Sequence, residues 1–238
     1  MTTSPRRRAL VLAAALAVSA LAFAGCASAN PGADPTADAS TPSPAGELAA
    51  AWLDDGRAIG IVTWGSSTCI PIAGDPVYKD GVLTIGLSDV AGQVCTQDYV
   101  ARGSLVTLPA GVDPAKELKV AVTGTYAGDL VVGGDATLAP TAPVEYLPSA
   151  GWFSPDGFLM LTWGSSTCIP QLEKAVASGK AEVTATFVTP PADQVCTADM
   201  GPRVTVGAVT GLEATSGVHL VLTGGGLDGM QVPIVGAR

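Results

Sequence analysis

Apolar positions along the chain fall into short runs separated by turn residues, and the runs come in two matching sets. Residues 58–64 set Ile59 and Ile61 against Ala58, Gly60 and Val62, apolar on both faces, and residues 158–163 repeat the pattern. Such runs predict central strands covered on both sides. A hairpin is predicted next, with Val77 and Tyr78, a turn at Lys79, Asp80 and Gly81, then a strand over 82–87. Its counterpart is 175–177, a turn at Ser178 and Gly179, and a strand over 181–187. There Ala181, Val183, Ala185 and Phe187 face inward, while Glu182, Thr184 and Thr186 face outward. Alone, residues 171–178 also read as a short helix. The matching stretch contains Gly74 and Pro76, which a helix tolerates poorly. Further strands are predicted at 104–108 and 204–209, through Leu118, Val120 and Val122 with their matches Val218, Leu220 and Leu222, and at 130–132 and 231–235.

The matching is literal at one place. Thr63, Trp64, Gly65, Ser66, Ser67, Thr68, Cys69, Ile70 and Pro71 return unchanged as Thr162, Trp163, Gly164, Ser165, Ser166, Thr167, Cys168, Ile169 and Pro170. Downstream, Gln93, Val94, Cys95, Thr96, Asp98 and Arg102 return as Gln194, Val195, Cys196, Thr197, Asp199 and Arg203. The chain is therefore an internal duplication. With short strands and frequent turns in each copy, it reads as all-β, two tandem β-sandwich or barrel-like domains with one disulfide apiece. The repeats occupy 47–139 and 150–238, joined by a linker over 140–149 rich in Pro and Ala.

Composition fits that picture. The 238-residue chain has 29 glycines and 18 prolines, 47% apolar residues, and only 5% aromatics, so its core is built from small aliphatic side chains. Its net charge of −9 repels nucleic acid phosphates and gives no polybasic attraction to anionic lipid.

Arg6, Arg7 and Arg8 precede an uncharged apolar run over 9–24, the layout of an export signal and short for a membrane span. The run ends in Phe23, Ala24, Gly25 and Cys26, which resembles the lipobox of bacterial lipoproteins. The resemblance implies a signal peptide over 1–25, a diacylglycerol-bearing Cys26 and a place on the outer face of the cell membrane. An ordinary signal peptide cut after Ala27 or Ala29 is the alternative. Arg7 to Val11 loosely resemble a twin-arginine signal, which bears only on export route. Residues 26–46, rich in Ala, Ser, Pro, Thr and Asp, form a tether spanning on the order of 25 Å.

Four cysteines besides Cys26 allow three pairings. Locality selects Cys69 with Cys95 and Cys168 with Cys196, each inside one repeat. No Cys-x-x-Cys is present and an oxidising compartment is implied, so neither zinc nor any other cofactor is expected.

The hydroxyls before each first cysteine invite a nucleophile hypothesis, which needs a base. The single histidine, His219, aligns with Lys119 on an outward strand position, so no catalytic residue is assigned. Gly224 to Gly229 only faintly resemble a calcium turn. Candidate binding residues are Trp64, Ser66, Ser67, Asp98 and Arg102 with their copies Trp163, Ser165, Ser166, Asp199 and Arg203. In a structural role, each tryptophan packs on its disulfide, each glycine allows a bend, and each aspartate caps a loop or pairs with the arginine four residues on. The two signatures together resemble a two-repeat unit of secreted lipoproteins of high-GC Gram-positive bacteria, which implies location and fold and no activity. The expectation is a membrane-anchored, non-enzymatic module for a protein or cell-wall ligand, with a secreted protease inhibitor or a cell-wall-acting enzyme as the alternatives.

Overall fold

The computed structural model describes residues 48–140 and 146–238. The expected signal peptide over 1–25, Cys26 and the expected tether over 26–46 lie outside the described residues, as do residues 141–145. Among the described residues the chain is all-β, without α-helix, its one helical turn being the 3-10 segment Asp54–Gly56.

Repeat 1 contains β1 (Ala49–Leu53), β2 (Ala58–Gly65), β3 (Ile72–Ala73), β4 (Val77–Lys79), β5 (Val82–Ser88), β6 (Val100–Thr107), β7 (Leu118–Gly124) and β8 (Gly128–Val132). Repeat 2 contains β9 (Ser149–Trp152), β10 (Gly157–Gly164), β11 (Leu172–Gly179), β12 (Glu182–Phe187), β13 (Gly201–Ala208), β14 (His219–Thr223) and β15 (Gln231–Val235). In repeat 1, β1, β2 and β6 form one antiparallel sheet, and β3, β5, β7 and β8 form another with β4 paired to β5. The same two layers recur in repeat 2 as one seven-stranded sheet, because β15 pairs with β14 through Pro233 and then with β9 through Ile234 and Val235. In each repeat the strands on either side of the second cysteine are kept apart. Thus β5 runs parallel to β7, and β12 to β14, with β6 and β13 assigned to the other layer.

Period-two alternation decides what each face covers. Ile59 and Ile61 of β2 point into a core of repeat 1 with Trp52, Leu83, Ile85, Leu87, Leu118, Val120 and Val122. Phe158 and Met160 of β10 take the same part in repeat 2, with Trp152, Val183, Ala185, Phe187, Leu220 and Leu222. Val183, Ala185 and Phe187 of β12 are buried as expected, while Ala181 lies half-buried just before the strand; residues 172–179 are strand rather than helix, matched in repeat 1 by the short strands β3 and β4.

The other face of β2 and β10 is also buried, against the other repeat. Ala51, Leu53, Ala58 and Val62 meet Leu159 and Leu161 in a third core, flanked by Leu105, Phe153, Val204 and Val206. Fully burying a leucine or valine contributes about 1.5–3 kcal/mol, so this seam is a substantial part of the fold's stability. Two glycines permit the approach. A Cβ on Gly60 would stand 2.4 Å from Leu159 Cδ1, and one on Gly103 would stand 2.6 Å from Val204 Cγ1. Polar contacts cross as well: Asp54 N–H donates to Ser149 Oγ at 2.7 Å, and Gly236 N–H donates to Asp135 Oδ2 at 3.0 Å. Ser149, assigned to the linker by the sequence, opens β9. The described residues consequently form one compact unit with two repeats stacked by side chains, with every strand pairing kept inside a repeat.

Candidate functional site

The repeated nonamer begins at the end of a strand and turns back at a disulfide. Thr63 of β2 is paired in register with Arg102 of β6, and Thr162 of β10 with Arg203 of β13, so each arginine lies beneath the loop that follows the tryptophan. The Arg102 guanidinium donates to the carbonyls of Trp64 at 3.3 Å, Ser66 at 3.4 Å and Cys69. Arg203 repeats this with Trp163 O at 2.7 Å, Ser165 O at 3.5 Å and Cys168 O at 2.9 Å. Charge-assisted bonds to several acceptors offset the loss of hydration. Burial still pulls the Arg203 pKa below its usual value, opposed by the charge of Asp199. Gly65 and Gly164 are explained here, since a Cβ at either would lie 2.8 Å from the guanidinium. They make room for the arginine and also hold positive φ, +159° at Gly65 and +151° at Gly164, the backbone freedom the sequence assigned to them.

Asp98 and Asp199 take the capping role and not the ion pair: among the described residues neither carboxylate is salt-bridged to its arginine. Asp98 Oδ1 accepts the Ser67 N–H at 3.1 Å and the Thr96 hydroxyl, and Asp199 Oδ1 accepts the Ser166 N–H at 3.1 Å and the Thr197 hydroxyl. Those bonds, the threonine hydroxyl first, hold both carboxyls at about 2. Thr96 and Thr197, which the sequence reading left out of the site, are hubs. Thr96 Oγ1 lies 2.7 Å from Ser66 Oγ and Thr197 Oγ1 lies 2.9 Å from Ser165 Oγ, while Thr96 N–H and Thr197 N–H each donate to the nonamer threonine at 3.1 Å. Only their identity in both copies could have marked them.

The disulfides join Cys69 to Cys95 and Cys168 to Cys196, with Cα atoms 5.5 and 5.6 Å apart. Trp64 and Trp163 pack at the margin of the inter-repeat core instead of on the disulfides, Trp163 edge-on to Tyr146 with ring centroids 5.0 Å apart. Ser66 is buried, Ser165 half-buried, and Ser67 and Ser166 exposed. At the loop tips beside the second cysteines, Val94 and Val195 are 92% and 91% exposed.

His219 sits on β14 with Nε2 3.4 Å from Glu182 Oε2, on a strand with no contact to the hydroxyl cluster. A carboxylate with a pKa of about 2 is a weak base near neutrality. Among the described residues no three His, Cys, Asp or Glu side chains gather as metal ligands.

The copies differ in what stands beside the arginine. In repeat 1, Arg102 has a further acceptor, Tyr126 Oη at 2.9 Å, whose hydroxyl donates to Asp89 Oδ1 at 2.7 Å, with the ring 5.4 Å from the guanidinium carbon. Burial, then Asp89, raises the Tyr126 pKa. Repeat 2 has Gly225 and Gly226 after the matching Thr-Gly, and a cavity of about 200 Å³ lies there, lined by Cys168, Pro170, Val188, Pro190, Gln194 and Gly225 among others. The chain matches no protein-family model, and no curated protein or solved structure is significantly similar to it.

Proposed function

We propose that the protein is a lipid-anchored, extracytoplasmic binding module without enzymatic activity, built from two barrel-like β repeats stacked face to face. Two disulfides suit an oxidising compartment outside the cytoplasm. The carrying observation is the pair of stiff loops. Each is fixed by a disulfide, an arginine (buried in repeat 1, half-buried in repeat 2) and a hydroxyl–aspartate cluster, and each ends in an aliphatic side chain with more than nine-tenths of its surface in water. Ordering a loop in advance lowers the entropy lost on binding, so a rigid apolar tip is suited to docking into a partner.

The test is photo-crosslinking in intact cells from a diazirine residue placed at position 94 or 195. Both positions should capture the same envelope component, and position 72, where Ile72 is exposed on β3, should not. Equal labelling from all three would remove the loops from the reading. Anchoring is checked separately: the wild-type protein should enter the detergent phase, and Cys26→Ala should not.

A further inference from the structure

A cavity of about 280 Å³ lies on the seam and is bounded by both repeats. Repeat 1 contributes the turn before β2 and Leu138, and repeat 2 contributes the residues that open β9 with Pro233 and Val235 of β15. The walls are held by all three cores: Leu53 belongs to the inter-repeat core, Ala150 to the core of repeat 2, and Leu138 and Val235 pack on the core of repeat 1. The polar groups in the lining are held as well. The Arg57 guanidinium donates to both oxygens of Asp54 at 3.1 and 3.2 Å, and Ser149 Oγ accepts the Asp54 N–H at 2.7 Å. Asp55 Oδ1 accepts the Ala139 N–H at 3.1 Å, and among the described residues no lysine, arginine or histidine is paired with the half-buried Asp55 carboxylate.

We infer that this cavity binds a primary ammonium group carried on a short hydrocarbon, with the ammonium against Asp55 and the hydrocarbon against Leu138, Leu147, Pro148, Pro233 and Val235. Charge is the first argument. The lining contains two carboxylates and one guanidinium, and because Arg57 is spent on Asp54, the uncompensated charge sits on Asp55. A carboxylate at the wall of an apolar cavity is matched by an ammonium, which has three donors and no acceptor. Backbone conformation does not account for that carboxylate. Asp54 and Asp55 both have positive φ, 49° and 54°, which glycine or asparagine would adopt equally well. Size agrees, since a cavity of about 150 Å³ already accepts benzene and this one has room for a ring with a two-carbon arm. Mostly apolar walls with a few polar groups at fixed points, set between two packed units, are the usual make-up of a small-ligand site. The cavity adjoins the start of β2, roughly 25 Å of extended chain from the disulfide loop at its other end, so this site is independent of the role proposed for the loop tips.

The experiment is a titration of the isotope-labelled protein with 2-phenylethylamine, followed by amide chemical shifts. Saturable shifts centred on Asp55, Ala139 and Ser149 are expected, with a dissociation constant on the order of 1 mM for so small a ligand. The neutral 2-phenylethanol should bind about tenfold more weakly, and the anionic 3-phenylpropionate should not saturate. Asp55→Asn keeps an acceptor for the Ala139 amide and tolerates positive φ, so the fold should persist. It should weaken the amine about tenfold while leaving the alcohol unchanged. Asp228→Asn, at a carboxylate that accepts the Gly224 N–H outside the cavity, should bind the amine as the wild type does. Leu147→Trp, at an exposed wall, should block amine and alcohol alike. N-acetyl-lysinamide separates the two sources of the ammonium: binding assigns the site to a lysyl side chain of a polypeptide, and exclusion assigns it to free amines. Absence of saturation by the amine, shifts located elsewhere, equal affinity for the alcohol, or wild-type amine binding by Asp55→Asn would each overturn the proposal.

Discussion

Gly60 packs against Leu159, the residue that holds its own position in the other repeat, and Gly103 packs against its equivalent Val204 in the same way. Contact between equivalent positions marks a pseudo-two-fold axis running through the seam, the arrangement of an isologous dimer whose halves have been joined in one chain. At such an axis two identical large residues collide and two identical small ones leave a void. The duplication has solved this by keeping glycine on one side and a branched side chain on the other.

That complementarity can be tested by exchange. Leu159→Ala should cost about 2–5 kcal/mol, as for other large-to-small changes in a core. Gly60→Leu should be at least as damaging, because the new side chain meets Leu159 and Leu53. Combining Gly60→Leu with Leu159→Gly should recover much of the loss. Chemical denaturation of the four proteins gives the coupling, and simple additivity would remove the axis argument.

The seam also bears on the separateness of the halves. A fragment covering 146–238 leaves Leu159, Leu161 and Val206 uncovered, so it should aggregate or melt without cooperativity. Mixed with a fragment covering 43–140, it should regain cooperative unfolding. A monomeric, well-dispersed spectrum from the isolated second half would instead show that its own core is sufficient.

Much of this was legible in the sequence. Literal repetition marked the strand series, locality within each repeat marked the disulfide pairing, and β2 and β10 announced themselves as covered on both faces by carrying apolar residues on both. What covers the second face was not legible. A strand buried in a sandwich and a strand buried against a duplicate have the same composition, and only the three-dimensional fit of Gly60 to Leu159 separates them. β1 and β9 were missed for a related reason, because Ala49 to Ala51 and Ser149 to Gly151 are small residues with no alternation. In the site, the spacing of Asp98 and Arg102 left open an ion pair or a cap on the loop backbone, and the cap is what forms. The structure turns the two away from each other because the arginine satisfies backbone carbonyls and the aspartate satisfies a backbone amide, and buried main-chain groups are the costlier ones to leave unpaired.

Arg102 and Arg203 should therefore matter for stability more than for charge. Arg102→Ala strands the carbonyls of Trp64, Ser66 and Cys69 in a dry site, and roughly 1–3 kcal/mol is expected for each buried group left without a partner. Arg102→Lys should recover only a fraction, since an ammonium lacks the planar fork that reaches several carbonyls at once. Gly65→Ala should resemble a partial arginine deletion, because its methyl displaces the guanidinium. Thermal melts rank these variants, and a Gly65→Ala protein as stable as the wild type would refute the packing role assigned to the glycine.

Asp98 and Asp199 give a pH dependence whose sign follows from their depressed pKa values of about 2, against an ordinary value of 3.8. A lowered folded-state pKa means that the folded protein favours the ionised carboxylate, so the contribution is full above about pH 4 and is lost as pH falls toward 2. The stability difference between wild type and a double Asp98→Asn, Asp199→Asn variant should accordingly stay level from neutrality to about pH 4 and shrink below it. The amide shifts of Ser67 and Ser166, which report the bonds directly, should titrate with midpoints near 2 in the wild type. Both carboxyls are exposed to solvent, and the threonine hydroxyls first, then the Ser67 and Ser166 hydroxyls and amides, depress them. Thr96→Val should return the Ser67 midpoint toward 3.8 while Thr197→Val leaves Ser67 unchanged. A midpoint indifferent to Thr96 would mean that the cluster does not set the charge of the loop.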